Sequence, residues 1–240
     1  MASSTCDHFL NGRIVLHQPR SGYRFSVDAV ILSHLACPQR GDRVLDLGTG
    51  CGVIPILIAH RHPHTQLIGV EIQHDLAGCA LRNVRENHMG DRIRIVAKDM
   101  VNLSPADIGK PVDLVVSNPP YRKLDSGRIN AHAQRAVARH ELKIDLHLLL
   151  ATARRMLRKS GRFVVIYPSV RAVDLLSGMR AAGLEPKSLI MVHSTASAPA
   201  RLVAVTGVKD GRPGLEVNAA IHLYNDDGTY TRDVEKMFSP

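Results

Sequence analysis

"VLDLGTGCGVIPILIA", residues 44–59, decides the fold. A short apolar run carries Asp46 near its end, and Gly48, Gly50 and Gly52 follow within five positions. A second apolar run, 53–60, then has the length and spacing of a buried helix. Strand, glycine-rich turn and helix is the opening unit of a parallel α/β sheet. Glycines at such a turn let the backbone approach a ligand closely and adopt positive φ without steric cost. The turn alone is equally compatible with a dinucleotide, with S-adenosylmethionine, or with no ligand.

Working outward, the chain from Arg43 onward alternates short apolar runs with amphipathic stretches. Strands are expected at 43–47, 66–71, 93–97, 112–117, 162–167, 188–193 and 201–208, and helices at 53–60, 75–88, 143–158 and 170–182. That alternation predicts a Rossmann-like, doubly wound α/β fold with a mostly parallel seven-stranded sheet covered on both faces. The last two runs are separated only by "STASAPA", so they are expected to pair as an antiparallel unit, placing an antiparallel strand at one sheet edge. Residues 13–36 read as a short hairpin and a helix beginning near Ser26, a residue suited to an N-cap. Three parts are expected: 1–36 covering the cofactor site, 37–210 as the core, and 211–240 as a turn-rich tail with Asn225–Gly228 forming a tight turn.

The acids narrow the ligand. The glycine spacing is G-x-G-x-G, whereas the dinucleotide fingerprint is G-x-G-x-x-G. Asp46, two residues before the first glycine, would crowd a pyrophosphate but suits a ligand carrying ammonium and sulfonium charges. Roughly twenty residues on, Glu71 ends the next strand, where an acid can hold both ribose hydroxyls. Asp99 follows the third strand, where a carboxylate can accept from an adenine amino group. Three acids at three successive strand ends favour S-adenosylmethionine as the cofactor.

The fourth strand runs into "NPPY", residues 118–121. Pro119 and Pro120 cannot donate ladder hydrogen bonds, and Pro119 keeps Asn118 out of helical geometry. Alone, the motif reads equally as a stiff turn. Beside a methyl donor it becomes a bracket for a flat amine: the Asn118 side-chain oxygen and the Pro119 carbonyl accept two N–H bonds, and Tyr121 offers a face for stacking. Arg122, Lys123, Arg128, Arg135 and Arg139 follow this motif and are candidates to meet RNA phosphates.

Composition supports a nucleic-acid partner. The 240-residue chain carries 31 Lys and Arg against 22 acids, a formal charge of +9, which favours a polyanion. No apolar run approaches the roughly 20 residues that span a bilayer, and residues 1–12 do not read as a signal peptide, so a cytoplasmic location is expected. Cys6, Cys37, Cys51 and Cys79 include no C-x-x-C pair, arguing against a zinc site or a disulfide framework. His60, His62 and His64 lack acidic and cysteine partners nearby, and no metal is expected.

With these motifs in place, the sequence resembles class I S-adenosylmethionine-dependent methyltransferases of the amino-methylating kind. More narrowly it resembles the bacterial family that makes N6-methyladenine beside the anticodon of a valine tRNA. The resemblance covers almost the whole chain: "GYRFSVDAVILS" (22–33), the glycine turn, "GVEIQ" (69–73), NPPY, "ARHE" (138–141), "LEPKSLIMVHS" (184–194), "GVKDGRPGL" (207–215) and "LYNDDGTYT" (223–231). It implies that Asp46, Gly48, Gly50 and Gly52 line the amino-acid and sulfur end of the cofactor, with Glu71 at its ribose and Asp99 at its adenine. It implies further that Asn118, Pro119 and Tyr121 hold the target base of a tRNA, Asn118 beside the methyl donor. Phe25, Ser26 and Asp28 would belong to a segment covering the pocket, while Arg139, His140 and Glu141 would touch RNA or brace the next helix.

Two other enzyme classes share NPPY: methyltransferases acting on a glutamine side chain of release factors, and those acting on guanine N2 of ribosomal RNA. The former usually place a helical domain ahead of the core, where this chain has about forty residues. A non-enzymatic RNA-binding or folding helper would need none of the three acids.

Overall fold

A computed structural model of the chain describes residues 4–19, 26–119 and 146–239. Seven long strands include the expected apolar runs: β3 (Arg43–Leu47), β4 (Gln66–Glu71), β5 (Ile93–Ala97), β6 (Val112–Ser117), β7 (Leu157–Pro168), β8 (Leu184–His193) and β9 (Ala200–Lys209). Strands β7 and β8 begin five and four residues earlier than expected, β7 taking in Leu157 and Arg158 from the stretch read as helix. Among the described residues they belong to one nine-stranded sheet in the order β10-β8-β9-β7-β6-β3-β4-β5, with β11 also pairing to β8. The pairs joining β5, β4, β3, β6 and β7 are all parallel, and β9 runs antiparallel to both β7 and β8. The antiparallel strand therefore lies one position inside β8. The two-residue strands β10 (Glu216–Val217) and β11 (Ile221–His222) then add to β8 in parallel.

The parallel strands read as continuous apolar runs because both faces are covered. Alternate residues point to opposite faces: Leu114 and Val116 of β6 join one core cluster and Val115 the other, while Phe163 and Val165 of β7 oppose Val164 and Ile166. The first cluster contains α1 (Val27–Leu35), α2 (Val53–Arg61) and part of α3 (His74–Glu86). The second contains α4, whose described part covers 146–156, and α5 (Ala172–Ala181). A short helix α6 (Arg232–Met237) closes the described chain.

The N-terminal hairpin begins earlier than expected. β1 (Ser4–Phe9) pairs antiparallel with β2 (Ile14–Pro19), so the segment read as a hairpin from residue 13 supplies only its second strand. Leu10, Asn11 and Gly12 make the connection with φ of 51°, 56° and 82°. The Asn-Gly pair there is the usual sequence signal for such a turn. Beyond the hairpin, β2 meets no strand among the described residues. Instead Asn87, the C-cap of α3, accepts from the Val15 N–H at 2.9 Å and donates to the Val15 carbonyl at 2.7 Å. One helical turn earlier, Asn83 accepts from the His17 N–H at 2.7 Å and donates to the His17 carbonyl at 2.9 Å. Two carboxamides, four residues apart on one helix face, thus substitute for a neighbouring strand.

The C-terminal segment is bound to this N-terminal layer. Tyr224, Tyr230, Phe238 and Phe9 stack in series, with ring centroids 5.1, 5.2 and 6.4 Å apart. Asn225–Gly228 forms the expected turn, with the Gly228 N–H donating to the Asn225 carbonyl at 3.0 Å. Ser26 occupies the N-cap position of α1, although its hydroxyl makes no capping bond.

Candidate active site

The chain runs from β3 outward through β4 to β5, then returns to lay β6 and β7 on the other side of β3. The crevice between the carboxyl ends of β3 and β6 is thus the topological switch point, where ligands bind in sheets of this kind. Asp46 pairs in register with Val116 on one side and Gly69 on the other. Two residues further along the three strands come Gly48, Asn118 and Glu71. Glu71 itself pairs with Ala97, two residues before Asp99. Asn118, Asp46, Glu71 and Asp99 therefore stand along one edge of four adjacent strands, spanning three strand spacings or about 14 Å. The buried Ser117 hydroxyl donates to the Leu47 carbonyl at 2.8 Å and ties together the two strand ends that frame the crevice.

The glycine turn has the backbone that its sequence requires. Gly48, Gly50 and Gly52 have φ of 78°, 56° and 80°. The N–H groups of Gly48 and Thr49 both donate to the Val70 carbonyl at 2.9 Å, folding the turn back over β4. A Cβ on Gly48 would meet nothing within 4 Å, so its outer side is open. On Gly52 a Cβ would lie 3.1 Å from Ala80 Cβ, where the turn packs against α3. Asn83 reinforces that packing by donating to the buried Cys51 carbonyl at 2.9 Å. One asparagine side chain thus links the N-terminal hairpin, α3 and the glycine turn.

The acids differ in what they already hold. One Glu71 oxygen accepts from the Gly50 N–H and the other from the Gln73 N–H, both at 2.9 Å, so the carboxylate is aimed before any ligand arrives. Asp99 caps a 3₁₀ turn through the Val101 N–H at 2.9 Å. Asp46 is the exception: it is buried, and neither oxygen has a hydrogen-bond partner among the described residues. Burial raises its pKa to about 7, with the nearby Thr49 hydroxyl pulling the other way and the Glu71 charge adding to the rise. A buried carboxylate without a partner is costly to keep charged. A cation in the crevice relieves that cost, which is the chemistry an ammonium- and sulfonium-bearing ligand supplies. Orphaned carboxylate, open glycine turn and pre-aimed Glu71 together fit S-adenosylmethionine.

Asn118 is buried at the end of β6, followed by Pro119. Tyr121, Arg122, Lys123, Arg128, Arg135, Arg139, His140 and Glu141, together with Phe25, lie outside the described residues. Asp28 lies in the first turn of α1; burial raises its pKa, opposed by the Ser26 hydroxyl and by Arg201.

Sequence reasoning missed several contributors. Gly69, inside β4, leaves room for Thr49: a Cβ there would sit 2.8 Å from Thr49 Oγ1 and 3.0 Å from Ile95 Cδ1. A glycine inside an apolar strand signals such a close approach. Ile72 and Val101, directly after Glu71 and two residues after Asp99, are 59% and 41% exposed. Asn83 and Asn87 read as ordinary polar positions of an amphipathic helix.

This fold and this row of side chains define a class I methyltransferase. A family model described as the methyltransferase small domain matches residues 26–179. A tRNA1(Val) (adenine(37)-N6)-methyltransferase from Porphyromonas gingivalis is 33% identical over 175 residues, covering 70% of this chain and 68% of that protein. One from Pedobacter heparinus is 29% identical over 216 residues, covering 90% and 89%. Among solved structures, a predicted O-methyltransferase from Agrobacterium tumefaciens superposes with a TM-score of 0.70 at 19% identity, covering 88% of this chain and 94% of that one. That likeness shows the fold. The chain belongs to the bacterial tRNA1(Val) (adenine(37)-N6)-methyltransferase family of small-domain methyltransferases.

Proposed function

We propose that the protein transfers a methyl group from S-adenosylmethionine to the exocyclic N6 amine of an adenine in tRNA, the adenine beside the anticodon of a valine tRNA. The observation that carries this reading is the row at the switch point, where a buried Asp46, without a hydrogen-bond partner among the described residues, stands one strand from Asn118. The names of the relatives support the choice of tRNA adenine over guanine N2 or a glutamine side chain, and the charge of +9 supports a polyanionic substrate.

Asp46 and the Gly48–Gly52 turn would hold the amino-acid and sulfur end of the cofactor, Glu71 its ribose, and Asp99 its adenine between Ile72 and Val101. When bound, S-adenosylmethionine supplies an electrophilic methyl on a positively charged sulfur. The protein's work is then on the acceptor. An exocyclic amine is a poor nucleophile because its lone pair is delocalised into the purine ring. Accepting its two N–H bonds at the Asn118 amide oxygen and the Pro119 carbonyl pulls the nitrogen toward tetrahedral geometry and aims the lone pair outward. Tyr121 would stack on the base and fix its plane. No strong base is needed beforehand, because the amine becomes acidic only as the new N–C bond forms; its proton then passes to solvent. Rate enhancement comes from positioning and preorganised electrostatics.

The test is to incubate the protein with methyl-labelled S-adenosylmethionine and separate tRNA, ribosomal RNA, DNA and release factor. Nucleoside digestion of the labelled fraction is expected to give N6-methyladenosine from tRNA. Label in N2-methylguanosine or in a protein glutamine overturns the proposal.

A further inference from the structure

Large apolar side chains that stand exposed are informative when they gather at one functional edge. Of the seven among the described residues, four lie just beyond the carboxyl ends of the sheet: Ile72 after β4, Val101 after β5, and Val170 and Val173 after β7. The strand order β7-β6-β3-β4-β5 spreads them to both sides of the crevice. Ile72 and Val101 flank the acids at the cofactor end. Val170 and Val173 lie beyond Asn118, on the acceptor end, and they are the most exposed of the set at 92% and 80%.

The register places this second pair close to the chemistry. Ser117 pairs with Val165, so Asn118 and Pro119 run level with Ile166 and Tyr167, one strand spacing or about 4.8 Å away. Three residues past Tyr167 comes Val170, on the 3₁₀ turn Ser169–Arg171, and Val173 follows in the first turn of α5. Between them Arg171 is locked in place. Its guanidinium lies 5.7 Å from the centroid of the Tyr167 ring, and its Nε donates to Asp174 at 3.1 Å. Its Nη2 is buried and meets no acceptor among the described residues. Arg171 thus holds the turn that carries the two valines, and their exposed side chains are complementary to the flat apolar face of a nucleotide base.

We propose that Val170 and Val173 form the seat for the nucleotide adjoining the target adenine, holding the RNA in register so that the flanking base packs on the two valines. This inference deepens the proposed function and rests on it. The occupant is RNA because the seat continues the edge that carries Asn118 and because the protein is strongly basic.

The experiment is steady-state methylation of tRNA by the wild-type protein and by two double variants, Val170→Ser/Val173→Ser and Val170→Glu/Val173→Glu. Both sites are exposed, so the fold should tolerate them. Leu215→Glu/Val217→Glu, at the β10 edge of the sheet, serves as a control matched in charge. KM for tRNA is expected to rise about tenfold in the serine variant, equivalent to about 1.4 kcal/mol, and further in the glutamate variant. Affinity for S-adenosylmethionine should stay within twofold, and the control should leave KM nearly unchanged. KM unchanged in the serine variant overturns the seat. So does an equal rise in the control, or a dimer of the wild-type protein that the glutamates dissociate without affecting KM. Wild-type protein that methylates no tRNA would instead refute the proposed function.

Discussion

Replacing Asp46 by Asn should stabilise the ligand-free protein while removing its cofactor. The folded-state pKa of Asp46 is raised from 3.8 to about 7, first by burial and then by the Glu71 charge. Between those two values the native protein keeps a proton that the unfolded chain has released. Native stability therefore falls as pH rises through the window and levels off above about 7. Each unit is worth about 1.36 kcal/mol at full slope, so Asp46 withdraws roughly 2–3 kcal/mol between pH 5 and pH 7. Asn has no proton to lose, and its own burial cost does not change with pH. The advantage of Asp46→Asn over wild type should thus widen by roughly 2–3 kcal/mol across those two units. At roughly 2–4 °C per kcal/mol for a chain of this size, that is about 5–10 °C in Tm. Thermal unfolding of both proteins without cofactor, at constant ionic strength from pH 5 to pH 8, reads the difference directly, since all other titrations cancel. Wild-type affinity for S-adenosylmethionine should strengthen by up to about tenfold for each unit that pH rises toward 7 and then level off, because Asp46 must ionise to pair with the bound cation; Asp46→Asn should bind weakly at every pH. A Tm difference that stays flat from pH 5 to pH 8 would refute the reasoning.

Three further outcomes follow from the same geometry. Glu71→Ala should weaken S-adenosylmethionine binding by about 1.5–3 kcal/mol in calorimetry, the range for hydrogen bonds to a charged group; unchanged affinity removes Glu71 from the ribose. Asn83→Ala leaves the buried His17 N–H without its acceptor and frees the Cys51 carbonyl, so it should cost about 1–3 kcal/mol in denaturant unfolding, and a smaller loss would show that the hairpin is held elsewhere. Affinity for tRNA should fall steeply with salt, and Arg122→Ala with Lys123→Ala should lower the log–log slope by about one for each phosphate no longer neutralised; an unchanged slope places the RNA-binding surface away from NPPY.

How much of this was legible in the sequence varies with the physics of each element. The apolar centres of the seven long strands were; for the parallel strands β3 to β7 this is because a strand covered on both faces reads as an apolar run. So were the acids at the ends of β3, β4 and β5, since a carboxylate after an apolar run has few structural uses. Strand β1 was not, because "STCDHF" is mostly polar and pairs only within a two-stranded hairpin; the Asn11-Gly12 turn was the available signal. Strands β10 and β11 are two residues each and carry no period. The position of β9 between β7 and β8 is a pairing choice that local pattern does not encode. Within the site, Asn83 and Asn87 were hidden for a chemical reason: their amides replace backbone donors and acceptors, so they occupy a buried helix face where composition suggests solvent. Ile72 and Val101 were hidden because an apolar residue after a strand looks like core until its exposure is known.

The central claim is that Asn118 orients the acceptor amine rather than shaping a turn. Single-turnover methylation of tRNA by Asn118→Ala, with S-adenosylmethionine affinity measured on the same protein, tests it most directly because it separates chemistry from product release. Removing one preorganised transition-state hydrogen bond typically costs about 10²–10³ in rate, so the expected result is a fall of that size with cofactor affinity within about twofold of wild type. A single-turnover rate close to wild type would contradict the account and leave NPPY as a stiff turn at the end of β6.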